Sequence, residues 1–242
     1  MRMNKTGQQF INYNEMGKKN RILIYPILVI GCLMILTGSC KKNNDNPGIS
    51  DIDGNIYHAI SIGTQVWMIE NLKVTHYRNG DVIPNVTDAT IWSSLSTGAY
   101  SDYDNSSGNS TTYGRLYNFF TVADARNICP TGWHVPSVNE FTTFTTYLGG
   151  ESVAGGKVKE TGTTHWQTPN DGATNVSGFK ALPSGYRFDT GAFDGIGSYA
   201  DFWAFAEPDA SRWNLGYDGP TMTGAGSVPK NFGFSVRCIK DN

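Results

Sequence analysis

Charged residues are scarce in this sequence, and their balance is negative. Lys, Arg, Asp and Glu make up 17% of the 242 residues. The first 21 residues contain five basic and one acidic side chain, and the whole chain has a net charge of −2, so the remainder carries −6. Nucleic-acid binding needs a basic patch. We therefore expect no nucleic-acid partner.

The sequence also lacks the motifs of common catalytic sites. It contains no GxSxG, HExxH or CxxC pattern, which mark serine hydrolases, zinc proteases and dithiol redox proteins. Its four histidines, His58, His76, His134 and His165, are far apart and do not have the spacing of metal ligands. We therefore expect a protein that is not an enzyme, with no catalytic residue and no metal centre.

The apolar run near the N-terminus is too short for a membrane-spanning helix. It covers residues 22–36, follows three basic residues and contains Pro26. A transmembrane helix needs about 20 apolar residues, whereas a basic segment followed by a short apolar run and small residues is the layout of a secretory signal. We expect residues 1–39 to be a signal peptide, and an uncleaved anchor helix is the alternative.

The end of this run, LTGSC at residues 36–40, resembles the lipobox of bacterial lipoproteins. Leu36 is one residue farther from Cys40 than in the usual pattern, and Ser39 is similar to the variant common in Bacteroidetes. The resemblance implies that Cys40 carries palmitate and further acyl chains, which hold a protein firmly to a lipid bilayer. We expect a lipid anchor in the bacterial outer membrane, on either its periplasmic or its outer face.

The rest of the chain divides into a tether and one domain. Residues 40–50 are polar and contain Pro and Gly, as expected of a linker. Residues 51–242 are about 190 in number, enough for one domain with a sizeable core. Translation from Met16 instead of Met1 would give a more compact signal peptide.

Only four cysteines are present. Cys32 would leave with the signal peptide, and Cys40 would be acylated. Cys129 and Cys238 remain, and a cysteine pair in an exported protein favours one disulfide. Two free thiols are the alternative.

Turn and periodicity signals predict short elements in the first half of the domain. DxDG at residues 51–54 favours an Asx-type turn with its glycine at positive φ. In residues 56–69 the side chains alternate in character on both sides of a turn at Gly63-Thr64, which predicts a β-hairpin. Residues 87–96 predict a short helix capped by Asp88 or Thr87.

Residues 129–141, CPTGWHVPSVNEF, place a thiol, an imidazole and a carboxylate close together in sequence. Ser137 and Glu140 have the spacing of a capping box, and the apolar residues that follow predict a helix up to Leu148. We expect these groups to be structural, with Trp133 and His134 packed beside the helix start.

Composition and periodicity predict the secondary structure of the remaining segments. Residues 101–114 are typical of a surface loop, and residues 113–127 predict a strand that leads into a helix. Residues 151–231 contain no long periodic segment and predict short strands and ordered loops. Residues 233–240 predict a closing strand with Phe234, Val236 and Cys238 on one face.

Six motifs occur in one order along the chain: IGTQVWMIENL, YGRLYNFF, CPTGWHVPSVNEF, YLGG, KETGTTHW and GFSVRCIK. Together they resemble the Fibrobacter succinogenes major paralogous domain family over residues 51–240. Phe141 replaces the expected Trp, and residues 205–230 are the least typical. The resemblance implies an α+β, C-type-lectin-like fold close to formylglycine-generating enzymes, with short antiparallel strands, one to three helices and long ordered loops. It also implies that the disulfide ties the helix region to the last strand.

The resemblance leaves three hypotheses of function: an extracytoplasmic binding module for glycans, a structural or adhesion protein with envelope-protein partners, and a formylglycine-generating-type oxidase. The third lacks a second cysteine pair. For the first, residues 200–218 resemble the EPN and WND motifs of lectins, which bind sugars around Ca²⁺. The expected ligand residues are Trp203, Glu207, Asp209, Trp213, Asn214 and Asp218.

Overall fold

The structure, a computed structural model, describes residues 48–242. They form thirteen β-strands and five α-helices, which confirms the α+β class and corrects the expected number of one to three helices. The predicted signal peptide (1–39), the acylation site Cys40 and the tether up to residue 47 lie outside the described residues. Across residues 48–242, no helix has both the length and the apolar character needed to cross a bilayer.

The elements are short and are connected by ordered loops. The strands are β1 (Ile49–Ser50), β2 (Ile56–Tyr57), β3 (Ala59–Ile62), β4 (Gln65–Met68), β5 (Tyr100–Ser101), β6 (Leu116–Tyr117), β7 (Trp133–His134), β8 (Ser184–Arg187), β9 (Phe193–Ile196), β10 (Tyr199–Ala204), β11 (Ser211–Gly216), β12 (Thr223–Ala225) and β13 (Ile239–Lys240). The α-helices are α1 (Ala89–Ser93), α2 (Ser107–Tyr113), α3 (Phe119–Val122), α4 (Val138–Tyr147) and α5 (Glu151–Val158), and a 3-10 helix covers Tyr103–Asn105.

The largest sheet of the described residues has five strands in the order β12-β11-β10-β8-β9. The antiparallel hairpin of β10 and β11 lies at its centre, with register from Tyr199↔Gly216 to Ala204↔Ser211. β8 pairs with β10 in parallel. Side chains alternate between the two faces of a strand, so this hairpin has one face toward the helices and one toward the candidate site.

The helix-facing side of the hairpin packs against α4 through aromatic rings. Phe141 stacks on Trp213 with ring centroids 5.6 Å apart. Phe144 lies 4.9 Å from Trp67 of the neighbouring four-stranded sheet. All four side chains are buried. Because aromatic pairs bury large apolar areas, this cluster fixes α4 between the two sheets.

The four-stranded sheet, in the order β3-β4-β13-β7, joins distant parts of the chain. Ile239 of β13 pairs with Trp67 on one side and His134 on the other. Cys238 precedes it, and its Sγ lies 2.04 Å from Sγ of Cys129, 109 residues earlier. This arrangement matches the predicted disulfide and not the alternative of two free thiols.

The predicted helix start at Ser137 is confirmed. Its Oγ accepts a hydrogen bond from the backbone N–H of Glu140, and the Glu140 carboxylate accepts the Ser137 N–H at 2.7 Å. These two bonds are the capping box. After α4 ends, Gly149 and Gly150 both have positive φ, which a side chain would disfavour.

Other local predictions in the N-terminal half are also confirmed. Oδ1 of Asp51 accepts the N–H of Asp53 at 3.0 Å and that of Asn55 at 2.9 Å, and Gly54 has φ 80°. Asp88, and not Thr87, caps α1. The predicted hairpin forms between β3 and β4, whereas β2 pairs with β1, which takes the last two residues of the predicted tether into a sheet.

Three elements differ from the prediction. Helix α5 lies in the region predicted to be strands and loops, because Gly155 and Gly156 weaken its helical signal. A Cβ at Gly155 would lie 2.1 Å from the carbonyl oxygen of Thr221, so the glycine allows this helix to pack closely. Helix α2 occupies the predicted surface loop. The closing strand is shorter than predicted, although Phe234, Val236 and Cys238 share one core cluster.

Candidate functional site

The candidate site lies on the face of the β10–β11 hairpin that is turned away from α4. In the hairpin, Asp201 pairs with Asn214, and Trp203 pairs with Arg212. Directly paired residues of antiparallel strands share a face. Tyr199 belongs to the same face because it lies two residues before Asp201. An aromatic ring, a carboxylate, a guanidinium and an amide are therefore adjacent.

Asp201 orients two of these side chains. Its side chain is fully buried. One carboxylate oxygen accepts a hydrogen bond from Nη1 of Arg212, and the other accepts one from Nδ2 of Asn214 at 3.1 Å. A buried residue that fixes two partly exposed polar side chains is the support that a binding site requires.

Aromatic rings surround these polar groups and form a cavity of about 320 Å³, which we call the aromatic pocket. Its lining consists of Tyr186, Phe188, Tyr199, Arg212, Asn214, Phe232 and Phe234. Phe232 and Phe234 are stacked with centroids 5.4 Å apart, and Tyr186 meets Phe188 edge-on at 5.0 Å. Phe234 is buried and the other six are partly exposed. Small-molecule sites have this composition: apolar walls and a few fixed polar groups.

Burial shifts the pKa values of two ionisable groups at the pocket, Asp201 and Tyr186. Burial raises the pKa of Asp201 to about 6, although Arg212 and the hydrogen bonds from Arg212 and Asn214 oppose the rise. Burial and the negative charges of Asp194 and Asp201 raise the pKa of Tyr186. The Tyr186 phenol therefore keeps its proton at neutral pH and can donate a hydrogen bond.

The structure corrects the predicted role of two tryptophans. Trp203 is 0% exposed and Trp213 is 2% exposed. Trp203 packs 4.6 Å from Phe234 and donates its indole N–H to the carbonyl of Tyr117 at 2.6 Å. Trp213 stacks on Phe141 of α4. Both are core residues, so neither offers an open ring face to a sugar.

The other predicted ligand residues are dispersed. Asn214 lines the aromatic pocket, whereas Glu207, Asp209 and Asp218 are exposed in the segments that flank β11. Asp209 borders a different groove, which also contacts Trp213. Within residues 48–242, no three His, Cys, Asp or Glu side chains form a group suited to a metal. Calcium binding by this loop stays a prediction.

Sequence reasoning missed most of the pocket. The residues it did not assign to a site are Tyr186, Phe188, Tyr199, Asp201, Arg212, Phe232 and Phe234. A signal was present in the alternation of YADFWA and SRWNLG, which are β10 and β11. Pairing these two strands as a hairpin would have placed Asp201, Arg212 and Asn214 on one face. The contribution of β8 and of residues 232–234 depends on long-range packing.

The three reactive groups of residues 129–141 do not converge on a cavity. Cys129 is in the disulfide. His134 contacts Glu140 through Nε2 at 2.9 Å and Asp241 through Nδ1 at 2.6 Å. Burial lowers the pKa of His134, but the hydrogen bonds to the two carboxylates outweigh it and raise the pKa overall. These contacts connect the start of α4 to the last residues of the chain.

Comparison with known proteins identifies the family of this chain. The model of the Fibrobacter succinogenes major domain matches residues 60–240. This range contains every residue of the aromatic pocket and both cysteines of the disulfide. No curated protein and no solved structure shows significant similarity to the chain. The chain belongs to the Fibrobacter succinogenes major domain family.

Proposed function

We propose that this protein is a non-enzymatic glycan-binding module of the bacterial envelope, and that the aromatic pocket holds the sugar. The observation that carries the proposal is the arrangement of Asp201, Arg212 and Asn214 beneath open aromatic rings. A sugar ring has C–H groups on its faces and hydroxyl groups at its edge. Aromatic faces pack on the former, and fixed amide and guanidinium groups bind the latter.

Binding without catalysis is supported by the position of the carboxylate beside the pocket. Asp201 bonds to two residues of the pocket lining, but both of its oxygens are occupied and its side chain is fully buried. A general acid or base must reach the proton that it transfers. Asp201 acts on a ligand through Arg212 and Asn214, which makes it a positioning residue.

The envelope location is proposed from the N-terminal sequence. Acylation at Cys40 would anchor the protein in the outer membrane, with the domain outside the cytoplasm. The Cys129–Cys238 bridge supports this location, because structural disulfides persist in oxidising compartments. Mass spectrometry of the purified protein tests the anchor. An acylated N-terminal Cys40 is the expected result, and an unprocessed Met1 or Met16 terminus would contradict it.

A glycan array probed with the full-length chain in detergent tests the binding function. We expect specific, competable signals from a subset of glycans. Tyr199→Ala should weaken them about tenfold or more, since removing a central aromatic side chain of a binding site has an effect of this size. Tyr147, an aromatic residue of α4 that is 65% exposed, lies outside the pocket lining. Tyr147→Ala is therefore the matched control and should bind as the wild type does.

Two results would contradict glycan binding in this pocket. One is an array without signal when the unfolding curve shows folded protein. The other is equal loss of signal in Tyr199→Ala and Tyr147→Ala. Capture of an envelope protein together with a silent array would instead support the structural or adhesion hypothesis.

Calcium binding is a separate proposal, based on the resemblance of residues 200–218 to calcium–sugar motifs, of which Glu207, Asp209 and Asp218 are exposed carboxylates. Oxygen ligands suit Ca²⁺. Calorimetric titration should give heat at about 1 mM Ca²⁺, within the range of extracellular calcium modules. A triple variant with Asn or Gln at the three positions should abolish it. Absence of heat with the wild type would remove calcium from the proposal.

A further inference from the structure

The guanidinium of Arg212 is only partly used by the protein. Nη1 donates to Asp201. Within residues 48–242, Nε and Nη2 have no hydrogen-bond partner. The side chain is 29% exposed and lines the aromatic pocket. Its Cζ lies 5.5 Å from the ring of Phe234, which supports the guanidinium from one side. One edge of Arg212 is thus held, and its other edge is free to bind a ligand.

The free edge has the geometry of a carboxylate receptor. Nε–H and Nη2–H of one guanidinium point in the same direction and donate two parallel hydrogen bonds to a carboxylate. A neutral hydroxyl can accept from only one of them with good geometry. The pocket lining contains no other charged residue. Arg212 is therefore the positive charge that a ligand meets in the lining, with Asp201 below it and the exposed Asp194 opposite Tyr186 in the pairing of β8 with β9.

On these grounds we propose that the ligands of the aromatic pocket are acidic sugars, whose carboxylate binds Nε and Nη2 of Arg212 while the ring packs on the aromatic walls. This inference rests on the glycan-binding function proposed above and adds the class of sugar. The carboxylate can come from a uronic acid or from a sialic acid, because the same two hydrogen bonds recognise both.

Asp201 gives this recognition a dependence on pH. The groups around it are Arg212 and Asn214 on β11, Tyr186 on β8 and Tyr199 on β10, and Asp194 of β9 acts on Tyr186. A sugar carboxylate remains ionised well below pH 6. As the pH falls through about 6, Asp201 gains a proton and no longer offsets the charge of Arg212. Affinity for acidic sugars should therefore rise between pH 7 and pH 5, whereas affinity for neutral sugars should change little.

Calorimetry of the full-length chain with digalacturonate and with galactobiose tests the class of ligand, because these disaccharides differ in their carboxylates. We expect digalacturonate to bind about tenfold tighter or more, the gain of a charge-assisted bidentate contact. Arg212→Gln should abolish the difference, and Arg212→Lys should retain only part of it. The affinities for sialyllactose and lactose are the corresponding comparison for sialic acids. The two comparisons together show whether the carboxylate comes from a uronic acid or from a sialic acid.

A second variant covers the case in which Arg212→Gln does not fold. Asp201→Asn keeps hydrogen bonding to Asn214 but removes the titrating group. It should still prefer digalacturonate, without the rise in affinity from pH 7 to pH 5. Equal affinity of the wild type for both disaccharides and for both lactose ligands, or an acid preference that survives in Arg212→Gln, would overturn the inference. If the wild type binds acidic and neutral sugars with equal affinity, the glycan-binding function is retained and only the preference for acidic sugars is excluded. If none of the sugars binds, both the preference and the glycan-binding function are contradicted.

Discussion

Asn71 Oδ1 accepts two hydrogen bonds from the guanidinium of Arg237, from Nε at 3.0 Å and from Nη2 at 2.6 Å. Both residues are buried. The third contact of the guanidinium is a hydrogen bond to the carbonyl oxygen of Phe179, and the rings of Phe179 and Phe202 lie 4.1 and 5.2 Å from Cζ. A buried cation is thus held by neutral acceptors and aromatic faces. Burial lowers the pKa of Arg237.

Asn71→Ala should strongly destabilise the fold. It removes the acceptor of two hydrogen bonds and leaves two donors of a buried cation unpaired, which costs at least about 1–3 kcal/mol because the group is charged. Urea unfolding measures this loss. Asn139 is an exposed asparagine of α4 whose side chain makes no hydrogen bond within residues 48–242, and Asn139→Ala should change the free energy of unfolding by less than about 0.5 kcal/mol. Similar midpoints for the two variants would contradict the role of Asn71.

Replacing Cys129 and Cys238 together by serine should also lower stability. The bridge closes a loop of 109 residues, and a loop of about this length corresponds to about 4.7 kcal/mol in the chain-entropy model. Urea unfolding of the variant with and without reductant measures the effect. Reductant should shift the wild type toward the variant and leave the variant unchanged. A wild-type midpoint that is insensitive to reductant, with full reduction shown by alkylation, would exclude a stabilising bridge.

The contacts of His134 predict a pH-dependent stability. Each ring nitrogen meets a carboxylate, so only the protonated imidazole can donate to both. Because its pKa is raised in the folded state, this stabilisation is complete below the ordinary value of about 6.5 and is lost as pH rises through the folded pKa. The melting temperature of His134→Gln should therefore fall less than that of the wild type between pH 6 and pH 9.

Asp241→Asn is the graded control for this prediction. It removes one of the two carboxylates that face His134 and keeps Glu140. Its pH dependence should lie between those of the wild type and His134→Gln. Identical melting profiles for all three proteins would show that the contacts of His134 do not contribute to stability in this range.

Two helical glycines should respond to alanine with opposite signs. Alanine normally stabilises a helix interior relative to glycine by up to about 1 kcal/mol. Gly108 of α2 is exposed and has room for a Cβ, so Gly108→Ala should follow this rule. At Gly155 of α5 a Cβ would meet the backbone of Thr221, and Gly155→Ala should destabilise by about 1–3 kcal/mol. Thermal unfolding of both variants measures the contrast, and a stabilised Gly155→Ala would contradict the close packing of α5.

The sequence was informative where the signal is local. Asp51, Asp88 and Ser137 each accept hydrogen bonds from backbone N–H groups two to four residues away, so the spacing in the sequence is itself the geometry. The pairing of Cys129 with Cys238 could be predicted because they are the two cysteines that remain once Cys32 and Cys40 are assigned to the signal peptide and the lipid anchor, and the resemblance added which elements the bridge joins.

Features that depend on contacts between distant parts of the chain could not be predicted from the sequence. Trp213 and Asn214 are neighbours in sequence, and together they resembled a lectin motif, but strand alternation directs them to opposite faces of β11. One became a core residue and the other a pocket residue. Likewise, Gly155 and Gly156 lower helix propensity locally, while the close approach to residues 172 and 221 that they permit becomes visible only in three dimensions.

The position of β13 in its sheet has a consequence for the timing of folding. This strand lies between β4 and β7, yet its residues are synthesised after those of all the other described strands. Until Lys240 has left the ribosome, β4 and β7 lack the strand that joins them, and Cys129 lacks its partner. The domain can complete its fold only after synthesis has passed this point.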